Sequence, residues 1–500
     1  MVIYIVTKDG SGNYSTIQQA VNVAQAGDIV QIKNGNYNEQ ITIQNSGTSQ
    51  AWITITAYPD HTPIIDGAGI SMDRGSGRSA LIQIYGKDYI KIDKLKLINS
   101  DWAAIVVTSL GGGLKPSSNI IFSNNYIERS WGAAIVMMGL GNVPARNFIV
   151  DGNTLVQCHW SDDAIAHENI SLGGGLDGFE IKNNIIRDCL HGVIDAKDGA
   201  TNGKIYKNVS TNSTYSCVYI DGYGGGCSDI DVYENIVYNM KSQNVDDVSS
   251  GFSVASEQGG GVRNIRFFNN IAYNNPGIAM IMPWYSTGVI DNVLIENNTF
   301  YNNGVGWQHR GGITLDYPPA TNIIIRNNIV SQNNQYQISN RGVNAIFENN
   351  LINGFRGYPS EIKGSAYIEG DPQFVDPANA NFHLKNTSPA IDVGSSINAP
   401  TVDFDGKPRP QGAGIDIGAF EYVITCIPNW QCENPLTGYE SDGCGNRQLN
   451  IARCSSILKY KCVNGTCIED PTGTFTEPTC NNSCSPVCPT PICDYIIQIL

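Results

Sequence analysis

One doublet constrains this chain more than any other feature. An Asn, usually behind a second Asn, Gly or charged residue, closes a short apolar run and opens another. The copies are Asn124-Asn125, Gly152-Asn153, Asn183-Asn184, Lys207-Asn208, Glu234-Asn235, Asn269-Asn270, Asn297-Asn298, Asn327-Asn328 and Asn349-Asn350. The second position advances by 28, 31, 24, 27, 35, 28, 30 and 22 residues. The runs before it, such as Ile120-Ile121-Phe122 and Ile323-Ile324-Ile325, read as short strands. Asn suits the tight bend after them because it tolerates left-handed backbone and bonds its own main chain. An irregular period in this range signals a coil of stacked rungs. Stacked Asn side chains can then hydrogen-bond from rung to rung. Equivalent residues of successive rungs lie about 4.8 Å apart.

A solenoid grows in one dimension, so 500 residues need not imply several cores. The 53 glycines argue for many turns and little helix. The formal net charge of −15 disfavours nucleic acid and anionic membranes as partners. Ten cysteines fall between Cys426 and Cys493. That density reads as a disulfide framework formed in an oxidising, extracellular setting. A zinc module is the alternative, but no His lies among these cysteines. Met1 leads straight into the apolar Val2–Val6 without a signal-peptide pattern, and the final Tyr495–Leu500 is too short to span a bilayer. No transmembrane segment is expected.

Residues 1–60 read as an N-terminal cap with the first rungs. Ser15-Thr16-Ile17-Gln18 is a capping box, and Ile17, Ala20, Val21 and Ala24 form one apolar helix face. Residues 61–369 carry the repeats. Residues 370–422, rich in Pro and Gly, are expected to close the far end, and a Cys-rich module occupies 426–493.

The stretch Thr16-Ile17-Gln18-Gln19-Ala20-Val21 with Ala26-Gly27-Asp28 resembles the opening of the secreted pectate-lyase-like superfamily. Asp371-Pro372-Gln373-Phe374, Ser388-Pro389-Ala390-Ile391-Asp392 and Asp416-Ile417-Gly418-Ala419-Phe420-Glu421 are similar to that superfamily's closing segment. The resemblance covers roughly residues 1–422. It implies a right-handed, single-stranded parallel β-helix, an all-β solenoid, with a helical cap. It does not fix a reaction, because the superfamily holds lyases, hydrolases, epimerases and adhesins. The tail from Tyr460 to Cys484 looks like small disulfide modules of extracellular and viral proteins, and surface attachment is one role for it.

Aligning the strand after each Asn turn by its first apolar residue pairs Ile105, Ile135, Ile165, Val193, Val218, Phe252, Ile278 and Ile313. Four adjacent rungs in this alignment carry ionisable residues, and their neighbours are apolar. The cluster is Glu168, Asp195, Lys197, Asp198, Asp221 and Glu257, with His167 beside them. Clustered carboxylates around one Lys suit β-elimination on a uronic acid. Ca²⁺ held by Glu168, Asp198 and Asp221 would neutralise the uronate, and Lys197 would be the base, with Asp195 and Glu257 assisting. Asp195-Ala196-Lys197-Asp198 is similar to the Glu/Lys strand of the calcium-dependent chondroitinase-B and alginate-lyase family. That resemblance implies an acidic polysaccharide as substrate. His167, Trp131, Trp160, Arg263, Trp284 and Tyr285 are the candidate sugar-binding residues, since aromatic faces stack on sugar rings. Two alternatives stand beside the lyase. One is a glycoside hydrolase using Asp195 and Glu257; Asp162-Asp163 resembles the paired aspartates of β-helix polygalacturonases, whose other motifs are missing. The other is a non-catalytic glycan-binding adhesin or viral spike. Cys158 and Cys189 fall on adjacent rungs and read as buried thiols, while Cys217 and Cys227 flank a Gly-rich loop that a bridge between them would close.

Overall fold

The computed structural model describes residues 1–423 apart from 75–78, 110–114, 140–142, 161–167, 242–248 and 305–310, and beyond them only the backbone of five short strands. Residues Met1–Tyr422 form one compact unit and Val423–Leu500 a second.

The first unit is a right-handed parallel β-helix. Three long parallel sheets run its length, with 13, 11 and 13 strands. The first sheet starts at Ile3–Val6 and ends at Ala345–Glu348, the second runs from Ile41–Thr42 to Ile338–Asn340, and the third from Asn36–Tyr37 to Ile368–Glu369. Each rung donates one strand to each sheet. Inward side chains alternate with outward ones along every strand. Val30, Ile55, Ile92, Phe122 and Val150 stack inside the first sheet, all at most 1% exposed. Phe252 of the second sheet meets Phe267 of the first and Phe300 of the third at 6.2 and 6.3 Å between centroids. This contact identifies the inward column of the second sheet.

The doublet does two separate jobs. Its first position takes left-handed backbone, with φ of 55° at Asn124 and Asn183, 56° at Lys207 and 53° at Asn269. Its second position builds a continuous amide ladder. Asn125 Nδ2 donates to Asn153 Oδ1 at 2.9 Å, Asn153 to Asn184 at 3.0 Å, Asn184 to Asn208 at 2.9 Å and Asn208 to Asn235 at 3.0 Å. The chain of bonds continues through Asn270, Asn298 and Asn328 to Asn350. Each amide also donates to a strand carbonyl of the preceding rung, as Asn208 does to Ile181 O at 2.8 Å. The ladder amides are thereby hydrogen-bonded in a buried place. A second, shorter ladder lies five residues later. Asn275 donates to Asn303 at 2.8 Å, Asn303 to Asn333 at 2.9 Å, and Asn333 to Gln337 at 3.0 Å. Cys158 and Cys189 occupy earlier rungs of that same column as buried free thiols. Cys217 and Cys227 are also free and buried, so the expected bridge between them is absent; Cys227 Sγ instead faces the carbonyls of Ala196 and Asp221 at 3.2 and 3.1 Å.

The N-terminal helix spans Ile17–Val23 and buries Ile17, Ala20 and Val21 against the first rungs. Its N-cap is Thr16, one residue later than the capping-box reading. Thr16 Oγ1 accepts from Gln19 N at 3.3 Å, and the Glu39 carboxylate takes the Ile17 and Gln18 amides at 3.0 Å each. Glu39, from the third-sheet side, therefore satisfies donors that the local sequence leaves open.

The segment 370–422 lies along the outer face of the third sheet. Phe374, Phe382, Leu384, Ala390 and Ile417 pack there on Ile271, Ile329 and Leu351. Arg409 is fully buried, paired with Glu421 at 2.5 Å and donating to Asn269 Oδ1 at 3.2 Å. In the second unit, Gln431–Asn434, Tyr439–Ser441 and Arg447–Leu449 form an antiparallel sheet, and Tyr460–Val463 pairs with Thr466–Glu469, setting Cys462 opposite Cys467 in register. The expected disulfides lie outside the described side chains.

Candidate functional site

The second sheet carries the ionisable cluster, in a register that differs from the sequence alignment. Ile105 pairs with Ile135, Ile135 with Ile170, Ile170 with Ile194, Ile194 with Val218 and Val218 with Phe252. Phe252 then pairs with Met280, and Met280 with Ile313. Rung three is thus Ile170–Gly173, not the stretch from Ile165, and rung four starts at Ile194, not Val193. The anchors Val218, Phe252 and Ile313 hold, but rung seven is set by Met280, not Ile278. The one-residue shift at rung four turns Asp195 and Lys197 outward together. One outward column reads Val136, Ser171, Asp195, Tyr219, Ser253, Ile281 and Thr314. The next outward column sets Lys197 directly beside Asp221, with Ala255 beyond it.

Glu168 sits two residues ahead of its strand and reaches the cluster from the side. Lys197 Nζ bonds Glu168 Oε2 and lies 2.7 Å from Asp195 Oδ2. Ser171 Oγ donates to the same Glu168 oxygen at 3.1 Å. Glu257 follows its strand in a tight turn where Gln258 is left-handed, with φ 48°. Gly260 closes that turn onto the neighbouring rung; a Cβ there would stand 1.5 Å from Gly222 O. The turn thereby brings Glu257 near Asp221. Tyr219 Oη donates to Glu257 Oε1 and lies 3.5 Å from Tyr285 Oη.

Burial divides this cluster into a floor and a rim. Asp195 is 1% exposed and Asp221 4%. Glu168, Lys197, Tyr219 and Glu257 are half-buried, and Trp284 and Tyr285 stand exposed beside them. Burial and the nearby Glu168 charge push the Asp195 carboxyl well above its ordinary range, against the pull of Lys197. Burial also works against a charged Glu168, but the Lys197 ammonium outweighs it and holds that carboxyl down at about 2. For Lys197 burial favours the neutral amine, yet Asp195 and Glu168 overcome it and raise the ammonium above its usual value. Asp221 is pushed up to about 7, by burial first and by the Glu257 charge second. Burial, with Tyr285, Asp221 and Glu257 around it, keeps the Tyr219 phenol protonated. Neighbouring carboxyls are thus driven to opposite protonation states, the pattern by which acid and base roles separate.

The cluster brings together five of the expected residues, Glu168, Asp195, Lys197, Asp221 and Glu257, and sets Tyr285 against it. It corrects several roles. Lys197 was expected as a base, but two carboxylates hold it as an ammonium. Asp195 is held by Lys197 at 2.7 Å, so it acts through that contact. Asp198 was expected as a calcium ligand, but its Oδ1 accepts from Gly225 N at 3.0 Å in the turn between the second and first sheets. Glu168, Asp198 and Asp221 do not converge, and among the described residues no three His, Cys, Asp or Glu side chains gather as a metal cage. The Lys197 ammonium stands where a cation shared by Glu168 and Asp195 would sit. The residues present do not fit the expected Ca²⁺ ion.

Trp131 is 7% exposed, tilted on Trp102 at 5.7 Å and covered by the Arg74 guanidinium at 4.0 Å. It is core, not a sugar platform. Trp160 is 51% exposed, on a depression of about 590 Å³ shared with Arg129 and Asp101 at the corner leading into the second sheet. Arg263 belongs to the first sheet, exposed and in register with Asp291, away from the cluster. His167, Asp162 and Asp163 lie outside the described residues. The sequence reading missed Tyr219 as a member of the site, along with Ser171 and Ser253. Tyr219 was legible: it falls in an outward position between two acidic rungs.

No family model matches the chain. It is 26% identical over 434 residues to the uncharacterized protein YwoF of Bacillus subtilis (strain 168), covering 76% of this chain and 88% of that protein. Among solved structures, a GH136 lacto-N-biosidase from Eubacterium ramulus matches at 14% identity and a TM-score of 0.48, covering 74% of this chain and 67% of that one. The pectate lyase Pel9A matches at 14% identity and a TM-score of 0.43, covering 84% and 96%. The mannuronan C-5 epimerase AlgE6 A-module of Azotobacter vinelandii matches at 12% identity and a TM-score of 0.46, covering 71% and 94%.

Proposed function

We propose that the outer face of the second sheet hydrolyses a glycosidic bond of a carbohydrate, with Asp221 as proton donor and Glu257 as its partner carboxylate. The observation that carries this reading is the placing of the Glu257 charge near the buried Asp221 carboxyl. Asp221 holds its proton to about pH 7, partly because Glu257 is charged beside it. Asp221 protonates the leaving oxygen. Glu257, oriented by the Tyr219 hydroxyl, either takes the proton of the attacking water or attacks the anomeric carbon itself, according to the spacing of the two carboxyls across the bound sugar. Glu168, Lys197 and Asp195 form a fixed ion pair with a protonated floor, which holds the strand ends in place. The donor of the pair expected from sequence, Asp195, gives way here to Asp221 because Asp195 is engaged by Lys197 and Asp221 is not.

Elimination on a uronate asks Lys197 for a free amine, and its two carboxylate partners favour the ammonium. No step runs through calcium. A polysaccharide substrate places the protein outside the cell, with the Cys-rich segment as its surface attachment; among the described residues no helix is long and apolar enough to cross a membrane.

The test is incubation with a panel of neutral and acidic polysaccharides, read for new reducing ends and for the ultraviolet absorbance of unsaturated ends. Reducing ends without that absorbance are expected. Asp221→Asn and Glu257→Gln should each lower the rate by about 10²–10⁴. Unsaturated product would establish elimination instead, and glycan binding without any cleavage would establish the adhesin.

A further inference from the structure

The cluster offers acidic and hydroxyl groups but, among the described residues, no spare positive charge. Among the described residues Lys197 is the one cation within it, and both its neighbours are carboxylates. Arg187 is turned to Asp188 at 3.1 Å, and Lys241 lies 3.7 Å from the same residue. Among the described residues, a sugar carboxylate entering here would face Glu168 and Glu257 and meet no free cation. Burying such a charge unpaired is costly. The acidic substrate expected from sequence does not suit this arrangement.

Polar atoms beside the cluster still lack partners. Asp221 Oδ1, Ser253 Oγ and Thr314 Oγ1 are buried with no hydrogen bond among the described residues. Their residues are 4%, 1% and 7% exposed. Buried polar groups are normally satisfied, so a row of orphans asks for a ligand that both donates and accepts. Ser253 and Thr314 share the outward column of Asp195 and Tyr219, with Ile281 between them. Four strand spacings from Asp195 to Thr314 cover about 19 Å. Trp284, 71% exposed, stands next to Tyr285 at the same end, edge-on to it at 6.0 Å with its face open.

We propose that this site, on the hydrolase reading above, takes an uncharged glycan laid along the solenoid axis, its hydroxyls on the Asp221, Ser253 and Thr314 oxygens and one ring on Trp284. Neutral sugar hydroxyls satisfy carboxyl and hydroxyl oxygens alike and bring no charge that needs a counterion. The exposed indole supplies the apolar contact that one face of a pyranose requires.

The experiment uses the full chain carrying Asp221→Asn, which keeps the uncharged state of the protonated acid and stops proton donation. Binding is measured by calorimetry with tetrasaccharides of cellulose, xylan, mannan, galactan and N-acetylglucosamine, and with tetrasaccharides of galacturonate and mannuronate. At least one neutral probe should bind, with an affinity that does not change with salt. Trp284→Ala, added to the same chain, should weaken it by about tenfold, the scale of one aromatic contact. Circular dichroism checks that the exposed position leaves the fold intact. Binding of the uronates alone, of no probe, or unaltered binding after Trp284→Ala would overturn the proposal. A neutral probe that binds yet is never cleaved by the unmodified chain sinks the hydrolase reading and leaves this inference standing. A uronate chain cleaved with new saturated reducing ends does the reverse.

Discussion

Replacing Asn208 by Ala removes four hydrogen bonds at one point of the amide ladder. Asn208 Oδ1 accepts from Asn184 N at 3.1 Å and from Asn184 Nδ2 at 2.9 Å. Its Nδ2 donates to Ile181 O at 2.8 Å and to Asn235 Oδ1 at 3.0 Å. The side chain is 2% exposed, so water does not reach the gap. Two donors of Asn184 are left without an acceptor, at about 1–3 kcal/mol each. The two acceptors lose less, because Asn235 Oδ1 keeps the Asn208 amide at 3.1 Å. The expected loss is about 3–5 kcal/mol, a large share of an ordinary domain's stability of about 5–15 kcal/mol. Asn36→Ala is the control. Its amide reaches Asp66 at 3.1 Å on the exposed surface, and the loss there should stay within about 0.5 kcal/mol. Urea denaturation gives both numbers, and hydrogen exchange at the Asn184 amide reports the local gap. A loss under about 1.5 kcal/mol for Asn208→Ala, with the Asn184 amide still protected, would refute the claim that the ladder stabilises the bends.

Two further outcomes follow from the cluster. Asp221 has its folded value raised to about 7 from 3.8, so its contribution is present below the unfolded value and lost as pH rises through the folded one. Asp221→Asn should therefore leave stability unchanged near pH 3 and raise it by a few kcal/mol, on that order, above pH 7; thermal melts across this range check it, and parallel curves would exclude the raised carboxyl. Lys197→Met leaves the Glu168 carboxylate without its cation and should cost about 3–5 kcal/mol, measured by chemical denaturation; a variant as stable as the parent would show that the ion pair contributes nothing net.

The solenoid was legible because the Asn spacing is itself the contact map. The steps read between successive Asn residues are the sequence separations of the ladder bonds, from Asn125–Asn153 to Asn328–Asn350. The helix face at Ile17, Ala20 and Val21 was legible for the same reason, a periodicity with one physical cause. The second sheet was harder. Ile135, Ile194, Val218 and Met280 lie ten residues after their ladder Asn, but Ile170 and Phe252 lie seventeen after theirs and Ile313 fifteen. The stretch between ladder Asn and strand is therefore five to seven residues longer at those three corners. The anchors Phe252 and Ile313 beyond two of these corners were still found. The slips came at Ile165, which lies outside the described residues, and at Val193 and Ile278, where an apolar residue one or two places before the true inward position imitates the start of a strand. The acidic cluster survived because most of its members come from rungs without an insertion or from just beyond one. Roles were less legible than positions. Composition cannot tell that Lys197 falls between Asp195 and Glu168, or that Asp198 turns to Gly225, because both depend on side-chain direction at a strand end.

The left-handed column has a mechanical consequence at the far end. Asn269 Nδ2 donates to Val402 O, Asn297 to Asp416 O, Asn327 to Ser395 O and Asn349 to Val393 O, at 2.8, 3.0, 2.8 and 3.1 Å. A repeat array frays one coil at a time, since each coil touches only its neighbours. Here four consecutive coils are latched to one strap, and the terminal coil cannot peel away until the strap lifts from all of them. The last third of the solenoid should accordingly open as a single cooperative block, with amide exchange in those coils sharing one free energy.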